Sequence, residues 1–168
     1  MSTRTETPTA RPAVAGVKGA RILIVESRYY ADIADALIEG AEREIGKSGA
    51  VSERIVVPGA FEIPGAIALA ADHYDGFVAL GCVIRGETSH YELITQEVAR
   101  GLMDLSLAGV PVAFGVLTVE NEKQAKVRAD RKGKNKGAEA VAAVLRMVGL
   151  SYRFRDTDNS DEPEGSLN

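Results

Sequence analysis

The stretch GFVALGCVIRGETSHYE, residues 76–92, decides the fold class of this 168-residue chain. Residues 76–83 form an apolar run without polar alternation, which predicts a strand that is covered on both faces. After a short polar turn, the S-x-x-E pattern from Ser89 to Glu92 predicts a capping box that starts a long helix to Ala108. A buried strand followed at once by a helix is the repeating unit of a parallel α/β sheet.

The same alternation extends in both directions along the chain. Apolar runs at 21–26, 52–57 and 112–118 predict three further strands, and both faces of the resulting sheet should be covered. Helical periods predict a first helix that ends near Gly46 and Gly49 and later helices over 63–73, 89–108, about 121–129 and 138–148. This order implies an α/β three-layer sandwich of the flavodoxin-like kind, with a four-stranded parallel sheet, right-handed crossovers and helices on both faces.

Two of the helices have a clear apolar stripe that should face the sheet. In the first helix the inward residues are Ile33, Leu37, Ile38, Ala41 and Ile45. In the long helix that starts near Ser89 they are Leu93, Ile94, Val98, Leu102 and Leu105.

Composition limits the classes of function. With 45% hydrophobic residues the chain suits one domain, which we place at 20–151 between flexible tails at 1–19 and 152–168. A formal charge of −4 and a pI of about 5.3 argue against a nucleic-acid binder. No run of apolar residues is long enough to span a bilayer, so no membrane partner is expected. The single cysteine, Cys82, excludes an intrachain disulfide and fits a reducing, cytoplasmic compartment.

Ligands of open parallel sheets bind beyond the carboxyl ends of the strands, so the loops that follow the strands are the candidates for function. After the third strand, His90 falls in the first turn of the long helix, where an imidazole can exchange protons with a bound substrate. Gly86, Glu87 and Thr88 can turn backbone amides toward an anion at the same helix terminus. On this segment alone, a partly exposed histidine without a function is the more common explanation. The other histidine, His73, lies at a helix end and has no predicted role.

The segment VRADRKGKNKG, residues 127–137, concentrates positive charge in an otherwise acidic chain. Its cations are Arg128, Arg131, Lys132, Lys134 and Lys136. A guanidinium here can bind phosphate bidentately, although a solvated charge run at a helix end explains the segment equally well. No Walker, GxGxxG or metal-ligand pattern occurs, so neither a nucleotide cofactor nor a metal is expected. The segment therefore favours a small phosphate ester.

Recognition of a heterocyclic ring requires a flat apolar face with polar groups at the ring edge. Phe61 and Glu62, in the loop PGAFEIPGA at 58–66, can supply both, and Tyr29 after the first strand can stack on a ring. Aromatic residues at such positions are nevertheless more often packing residues. Phe114 lies inside the last strand, where the pattern alone predicts a core residue.

Five motifs in this order resemble those of lumazine synthases from about residue 21 to residue 150. They are VESRYY (25–30), PGAFEIP (58–64), GCVIRGETSHYE (81–92), PVAFGVLTVENEKQA (111–125) and VRADRKGKNKG (127–137). The resemblance implies an enzyme of riboflavin biosynthesis that condenses a ribitylamino-uracil with a four-carbon keto-phosphate and needs no cofactor. It also implies a homo-oligomer, a pentamer or a multiple of pentamers, in which two neighbouring chains complete each active site.

Carried over to this sequence, the resemblance assigns proton transfer to His90 and phosphate binding to Arg128, with Glu87 and Thr88 in the phosphate-binding turn. Tyr29 takes the place of the aromatic residue that stacks on the pyrimidine, usually Phe or Trp in the family. The other implied substrate contacts are Ala60, Phe61 and Glu62 at the ribityl chain, Cys82, Val83 and Ile84 at the pyrimidine edge, Phe114 at the pyrimidine of the adjacent chain, and Lys132 near the phosphate.

The loop DRKGKN, residues 130–135, departs from the glycine-threonine or double-glycine sequence of capsid-forming members of the family. This departure favours a free pentamer over a decamer or a sixty-subunit shell. Two other interpretations stay open. One is a flavin- or lumazine-binding assembly protein without turnover, and the other is a flavodoxin-like regulatory module without a small-molecule site.

Overall fold

The computed structural model describes residues 16–159, which form one parallel sheet with helices on both faces. The strands are β1 (Arg21–Ser27), β2 (Val51–Val57), β3 (Gly76–Ile84) and β4 (Val112–Val119). Their order in the sheet is β2-β1-β3-β4, and each neighbouring pair is parallel. The four predicted strands are confirmed to within one residue at each end.

The helices are α1 (Ala31–Ser48), α2 (Ile63–Ala70), α3 (His90–Leu107), α4 (Glu122–Ala129) and α5 (Lys136–Asn159). Short 3₁₀ helices cover Ala60–Glu62 and Ala71–His73. Helices α1, α4 and α5 pack on one face of the sheet, and α2 and α3 pack on the other. The predicted three-layer α/β fold of the flavodoxin-like kind is confirmed.

The core consists of two apolar clusters, one on each side of the sheet. Successive side chains of β1 alternate between them: Ile22 and Ile24 belong to the cluster beneath α1 and α5, and Leu23 and Val25 to the cluster beneath α2 and α3. The predicted apolar stripe of α1 is buried along its whole length. Burial on both faces explains why β1 has no polar alternation in its central part.

Two predictions about burial are wrong. Val51, Ile55 and Val56 of β2 are 55%, 38% and 58% exposed, because β2 is an edge strand that the helices cover only in part. In α3, Leu93 is exposed although it was expected to face the sheet, since Ile94 makes the contact with the core at that turn of the helix. The chain therefore presents apolar surface at the β2 edge and at the start of α3.

The last helix is longer than predicted, since α5 continues from the expected end at Val148 to Asn159. No proline interrupts this segment, and Tyr152 gives it a contact with the core. Burial, and then a hydrogen bond with Asp75, raise the pKa of Tyr152 to about 12. The predicted flexible tails lie largely outside the described residues; of their described parts, 152–159 is helical and Val17 is buried. Within 16–159, no helix has the length and hydropathy needed to cross a membrane.

Close packing of α5 against α1 depends on Gly137. A Cβ at this position would collide with the carbonyl oxygen of Leu37 and lie 3.2 Å from the amide nitrogen of Ala41. Just before it, Asn135 adopts a φ of +47°, and its Oδ1 accepts a hydrogen bond from the Ala138 amide at 3.4 Å. These contacts fix the turn by which the basic segment enters α5.

Candidate functional site

A hollow of about 660 Å³ lies beyond the carboxyl ends of β1, β2 and β3. We call it the sheet-end hollow. It lies where the strand order reverses, because β1 and β3 are neighbours in the sheet while α1 and α3, which follow them, pack on opposite faces. Open α/β sheets bind their ligands at such points.

Predicted site residues from separate parts of the sequence meet in the sheet-end hollow. Those that line it are Tyr29, Ala60, Phe61, Glu62, Cys82, Val83, Ile84, Thr88 and His90. Glu87 is exposed in the turn beside them and does not line the hollow. The hollow thus combines aromatic rings, strand-end backbone and an imidazole.

The aromatic side chains of Tyr29 and Phe61 are not packed in the core, although residues in such positions more often are. Tyr29 and Phe61 are 78% and 57% exposed. The ring of Tyr30 packs edge-to-face on that of Tyr29, with centroids 5.0 Å apart and an interplanar angle of 70°, while Tyr30 itself contacts the core. Tyr29 is therefore an accessible ring that is supported from one side, as stacking on a planar ligand requires.

An ion-pair network around one buried carboxylate fixes the loop that bears Tyr29. Glu26, at the end of β1, is 1% exposed, and its Oε2 accepts a hydrogen bond from Arg28 Nη1 at 3.2 Å. Arg28 Nη2 also donates to Asp35 Oδ1 in α1 at 2.6 Å. The other Glu26 oxygen, Oε1, lies 3.3 Å from Arg54 Nε of β2. Arg28 therefore donates a hydrogen bond to one oxygen of the buried carboxylate, which fixes this residue next to Tyr29, while Arg54 compensates the other oxygen by charge alone, since Oε1 has no hydrogen-bond partner among the described residues.

Small side chains bring β3 close to the hollow. A Cβ on Gly81 would lie 2.7 Å from Ser27 Oγ, so glycine leaves room for the Ser27 hydroxyl at the end of β1. Burial raises the pKa of the Cys82 thiol to about 11, which keeps the thiol protonated and makes it a poor nucleophile at neutral pH. The end of β3 therefore offers backbone groups to a ligand rather than a reactive side chain.

The start of α3 differs from the predicted capping box. Ser89 is the N-cap residue, but its side chain makes no capping hydrogen bond. Glu92, which was expected to complete the box, pairs instead with Arg85. His90 is the first residue of α3 and is exposed, and its amide donates to Thr88 Oγ1 at 3.4 Å.

A second hollow, of about 280 Å³, lies along β4 and is lined by residues of β4, α4 and α5. We call it the β4 hollow. Phe114 lines it and is 48% exposed, so the expectation from the strand pattern that Phe114 is a core residue is wrong. The ring lies on the edge strand of the sheet opposite to β2, where no further strand covers it among the described residues.

Arg128 lines the same β4 hollow and is half-buried. Two other cations of the basic segment are in ion pairs: Arg131 Nε lies 2.9 Å from Glu39, and Lys136 Nζ lies 2.8 Å from Glu139. Arg128 has no such carboxylate partner in the part of the chain that the structure describes. A guanidinium without a carboxylate partner, beside a hollow, is suited to binding an anionic ligand.

One chain does not bring His90 and Arg128 together, since the first lines the sheet-end hollow and the second lines the β4 hollow. Lys132 is exposed and lines neither of the two. Within residues 16–159, no cluster of three or more His, Cys, Asp or Glu side chains could hold a metal ion.

Comparison with known proteins identifies the family. The sequence model of 6,7-dimethyl-8-ribityllumazine synthase matches residues 19–151. The chain belongs to this family.

A 6,7-dimethyl-8-ribityllumazine synthase of Novosphingobium aromaticivorans is 53% identical over 137 residues, which cover 80% of this chain and 99% of that protein. One from Zymomonas mobilis has the same identity and coverage. "6,7-Dimethyl-8-ribityllumazine synthase 1" of Rhodopseudomonas palustris is 48% identical over 146 residues, 82% of this chain and 90% of that protein. As a member of the 6,7-dimethyl-8-ribityllumazine synthase family, the chain is an enzyme, a transferase.

In this family member, the sheet-end hollow also includes residues that were not among the predicted substrate contacts, although the loop 27–30 after the first strand was predicted to be a candidate for function. Ser27, Tyr30 and Tyr91 line it together with the predicted residues. A signal was available for the first two, because Ser27 ends β1 and Tyr30 follows it in the same functional loop. Tyr91 follows His90 in the first turn of α3 and gave no separate signal, since an aromatic residue in a helix usually packs in the core.

Proposed function

We propose that the chain condenses 5-amino-6-(D-ribitylamino)uracil with 3,4-dihydroxy-2-butanone 4-phosphate to give 6,7-dimethyl-8-ribityllumazine, phosphate and water, the penultimate step of riboflavin biosynthesis. The main support is the sheet-end hollow, where accessible rings, strand-end backbone and an imidazole surround a space of about 660 Å³. Pockets for small organic ligands usually have volumes of about 300–1,000 Å³.

The reaction consists of imine formation and ring closure. The primary amine of the uracil attacks the ketone and water leaves to form an imine. Tautomerisation to the enamine then allows phosphate to leave, and the resulting enol becomes a carbonyl group. The exocyclic nitrogen that bears the ribityl chain attacks this carbonyl and closes the pyrazine with loss of a second water. Because the two substrates are held face to face, proximity supplies much of the rate. What remains for side chains is proton transfer, which we assign to His90, and stabilisation of the departing phosphate, which we assign to Arg128.

We propose the following substrate contacts, most of which involve residues that line the two hollows. Tyr29 stacks on the pyrimidine, and Phe61 lies along the ribityl chain with Ala60 and Glu62. Backbone groups of residues 82–84 bind the pyrimidine edge. Glu87, Thr88 and Lys132 belong to the phosphate end of the site, although Glu87 and Lys132 line neither hollow of a single chain.

Each active site combines the sheet-end hollow of one chain with the β4 hollow of its neighbour, in a homo-oligomer that we expect to be a free pentamer. The separation of His90 from Arg128 within one chain supports this, because both are needed at one keto-phosphate. Exposed apolar residues at the β2 edge and at Leu93 are a second support, since such surface usually marks an interface. The unpaired cysteine agrees with a cytoplasmic enzyme.

Mixing the purified chain with both substrates tests the proposal. Lumazine fluorescence and release of one phosphate per lumazine are the expected result. Binding of flavin or lumazine without turnover, above all in a protein that is yellow as purified, would instead identify a flavin- or lumazine-binding assembly protein. Native mass spectrometry would count the chains, and ten or sixty subunits would correct the expected pentamer.

A further inference from the structure

Arg85, the first residue after β3, joins three elements through one side chain. Its Nε donates to Glu120 Oε2, just after β4, at 2.8 Å, and its Nη1 donates to Glu92 in the first turn of α3. The guanidinium carbon lies 4.2 Å from the centroid of the Tyr91 ring. The backbone amide of Arg85 also donates to the carbonyl of Val119 at 2.9 Å. The ends of β3 and β4 and the start of α3 are therefore tied together at this residue.

The turn at residues 86–89, between Arg85 and His90, has few restraints of its own. All four of its residues are exposed. Among the described side chains, the turn has one long hydrogen bond, which the His90 amide donates to Thr88 Oγ1 at 3.4 Å. The side chain of Ser89 makes no capping hydrogen bond. The position of the turn must therefore be set at its two ends, and Arg85 acts on both.

Arg85 itself does not line the sheet-end hollow, so it is not placed to bind a ligand there. The hydrogen bond to Glu92, more than that to Glu120, raises the pKa of the Arg85 guanidinium, and its charge is therefore permanent. A guanidinium is planar and directs its N–H groups at two carboxylates in a fixed geometry, whereas an ammonium group acts as a compact charge without that geometry. The contact with Glu120 also reaches α4, because the next residue, Asn121, caps the helix that bears Arg128.

We propose that Arg85 is a positioning residue for the phosphate end of the site: it holds turn 86–89 and the first turn of α3, so that Thr88 and His90 keep their places beside the phosphate-bearing substrate. This inference rests on the proposed function. It also explains why the sequence pattern of a capping box fails, since Glu92 is engaged by Arg85.

The substitution Arg85→Gln keeps a polar side chain but removes the positive charge and the paired hydrogen bonds to Glu92 and Glu120. The KM for the keto-phosphate should rise about five-fold, because binding must then order the turn. The kcat should fall less than about two-fold, and the KM for the ribitylamino-uracil should stay unchanged. Arg85→Lys should restore part of the loss, since an ammonium can satisfy one of the two carboxylates. A substitution that merely lowered stability would not raise the KM of one substrate selectively.

Arg100 offers a matched control on the same helix. It also binds two carboxylates, Glu97 at 2.7 Å and Asp104 at 2.8 Å, but it does not line the sheet-end hollow. Arg100→Gln should leave both KM values unchanged.

The double substitution Glu92→Gln/Glu120→Gln separates positioning from charge. Loss of positioning raises the KM for the keto-phosphate, whereas loss of negative charge near a phosphate lowers it.

Hydrogen exchange of the free protein gives a measurement that does not depend on turnover. The amides of Arg85, His90 and Leu93, which donate hydrogen bonds at the two ends of the turn, should exchange at least about three-fold faster in Arg85→Gln than in wild type, and at an unchanged rate in Arg100→Gln. Unchanged exchange together with an unchanged KM overturns the positioning role. A wild-type chain that forms no lumazine refutes the proposed function instead, and hydrogen exchange still tests Arg85. If Arg85→Gln does not fold, Arg85→Lys and the double glutamine variant provide the same comparison.

Discussion

Mixed oligomers of two impaired variants should recover activity that neither variant has alone. Tyr29→Ala/His90→Ala damages the sheet-end hollow, and Phe114→Ala/Arg128→Ala damages the β4 hollow. Tyr29 and Phe114 are 78% and 48% exposed, so both variants keep the core intact. If each active site combines the two hollows of neighbouring chains, a mixed oligomer contains some sites in which both halves are undamaged.

The size of the recovery follows from this arrangement. After random mixing of equal amounts, half of the sheet-end hollows are undamaged, and half of the neighbouring β4 hollows are undamaged. About one quarter of the sites should then be intact, and activity should reach about 25% of the wild-type value. Mixing either variant with wild type should give about one half of the wild-type activity, because only one of the two hollows is then damaged, in half of the sites.

Lumazine fluorescence measures the recovered activity after the two variants have been unfolded together and refolded. Native mass spectrometry of the same sample, with one variant isotopically labelled, verifies that chains have mixed. An activity equal to the sum of the separate variants, in oligomers that are demonstrably mixed, would refute the shared site. In that case His90 and Arg128 would have to act in one chain, or one of them would have no catalytic role.

Three further substitutions test individual residues. Arg128→Ala should raise the KM for the keto-phosphate about 10- to 100-fold through loss of a charge-assisted pair, and steady-state kinetics with unchanged saturation by that substrate would argue against phosphate binding. His90→Ala should slow turnover about ten-fold, since solvent can partly replace a proton donor, and a wild-type rate would remove the catalytic assignment. Gly137→Ala should lower the free energy of unfolding by about 1–3 kcal/mol, because its Cβ meets the carbonyl of Leu37. Gly46→Ala, with open space around its Cβ, is the matched control in urea denaturation and should not destabilise the protein.

Local sequence patterns were sufficient for the order and bounds of most elements. Apolar runs and the turn residues beside them predicted β1–β4, and a helical period predicted the buried stripe of α1. The end of α5 was missed because Tyr152 extends the helix through contacts with the core and with Asp75, which is far away in the sequence. The exposure of Leu93 was missed for a similar reason, since the helical period does not specify which of two adjacent apolar residues faces the sheet.

By itself, the sequence determined that strand and helix alternate, that the candidate loops follow the strands, and that His90 begins a helix, because these properties depend on neighbouring residues. Only the tertiary structure decided that Phe114 is exposed, that Glu92 pairs with Arg85 instead of capping α3, and that Arg128 lies in a different hollow from His90. Those outcomes depend on the strand order β2-β1-β3-β4 and on contacts between residues distant in sequence, which local propensities do not encode.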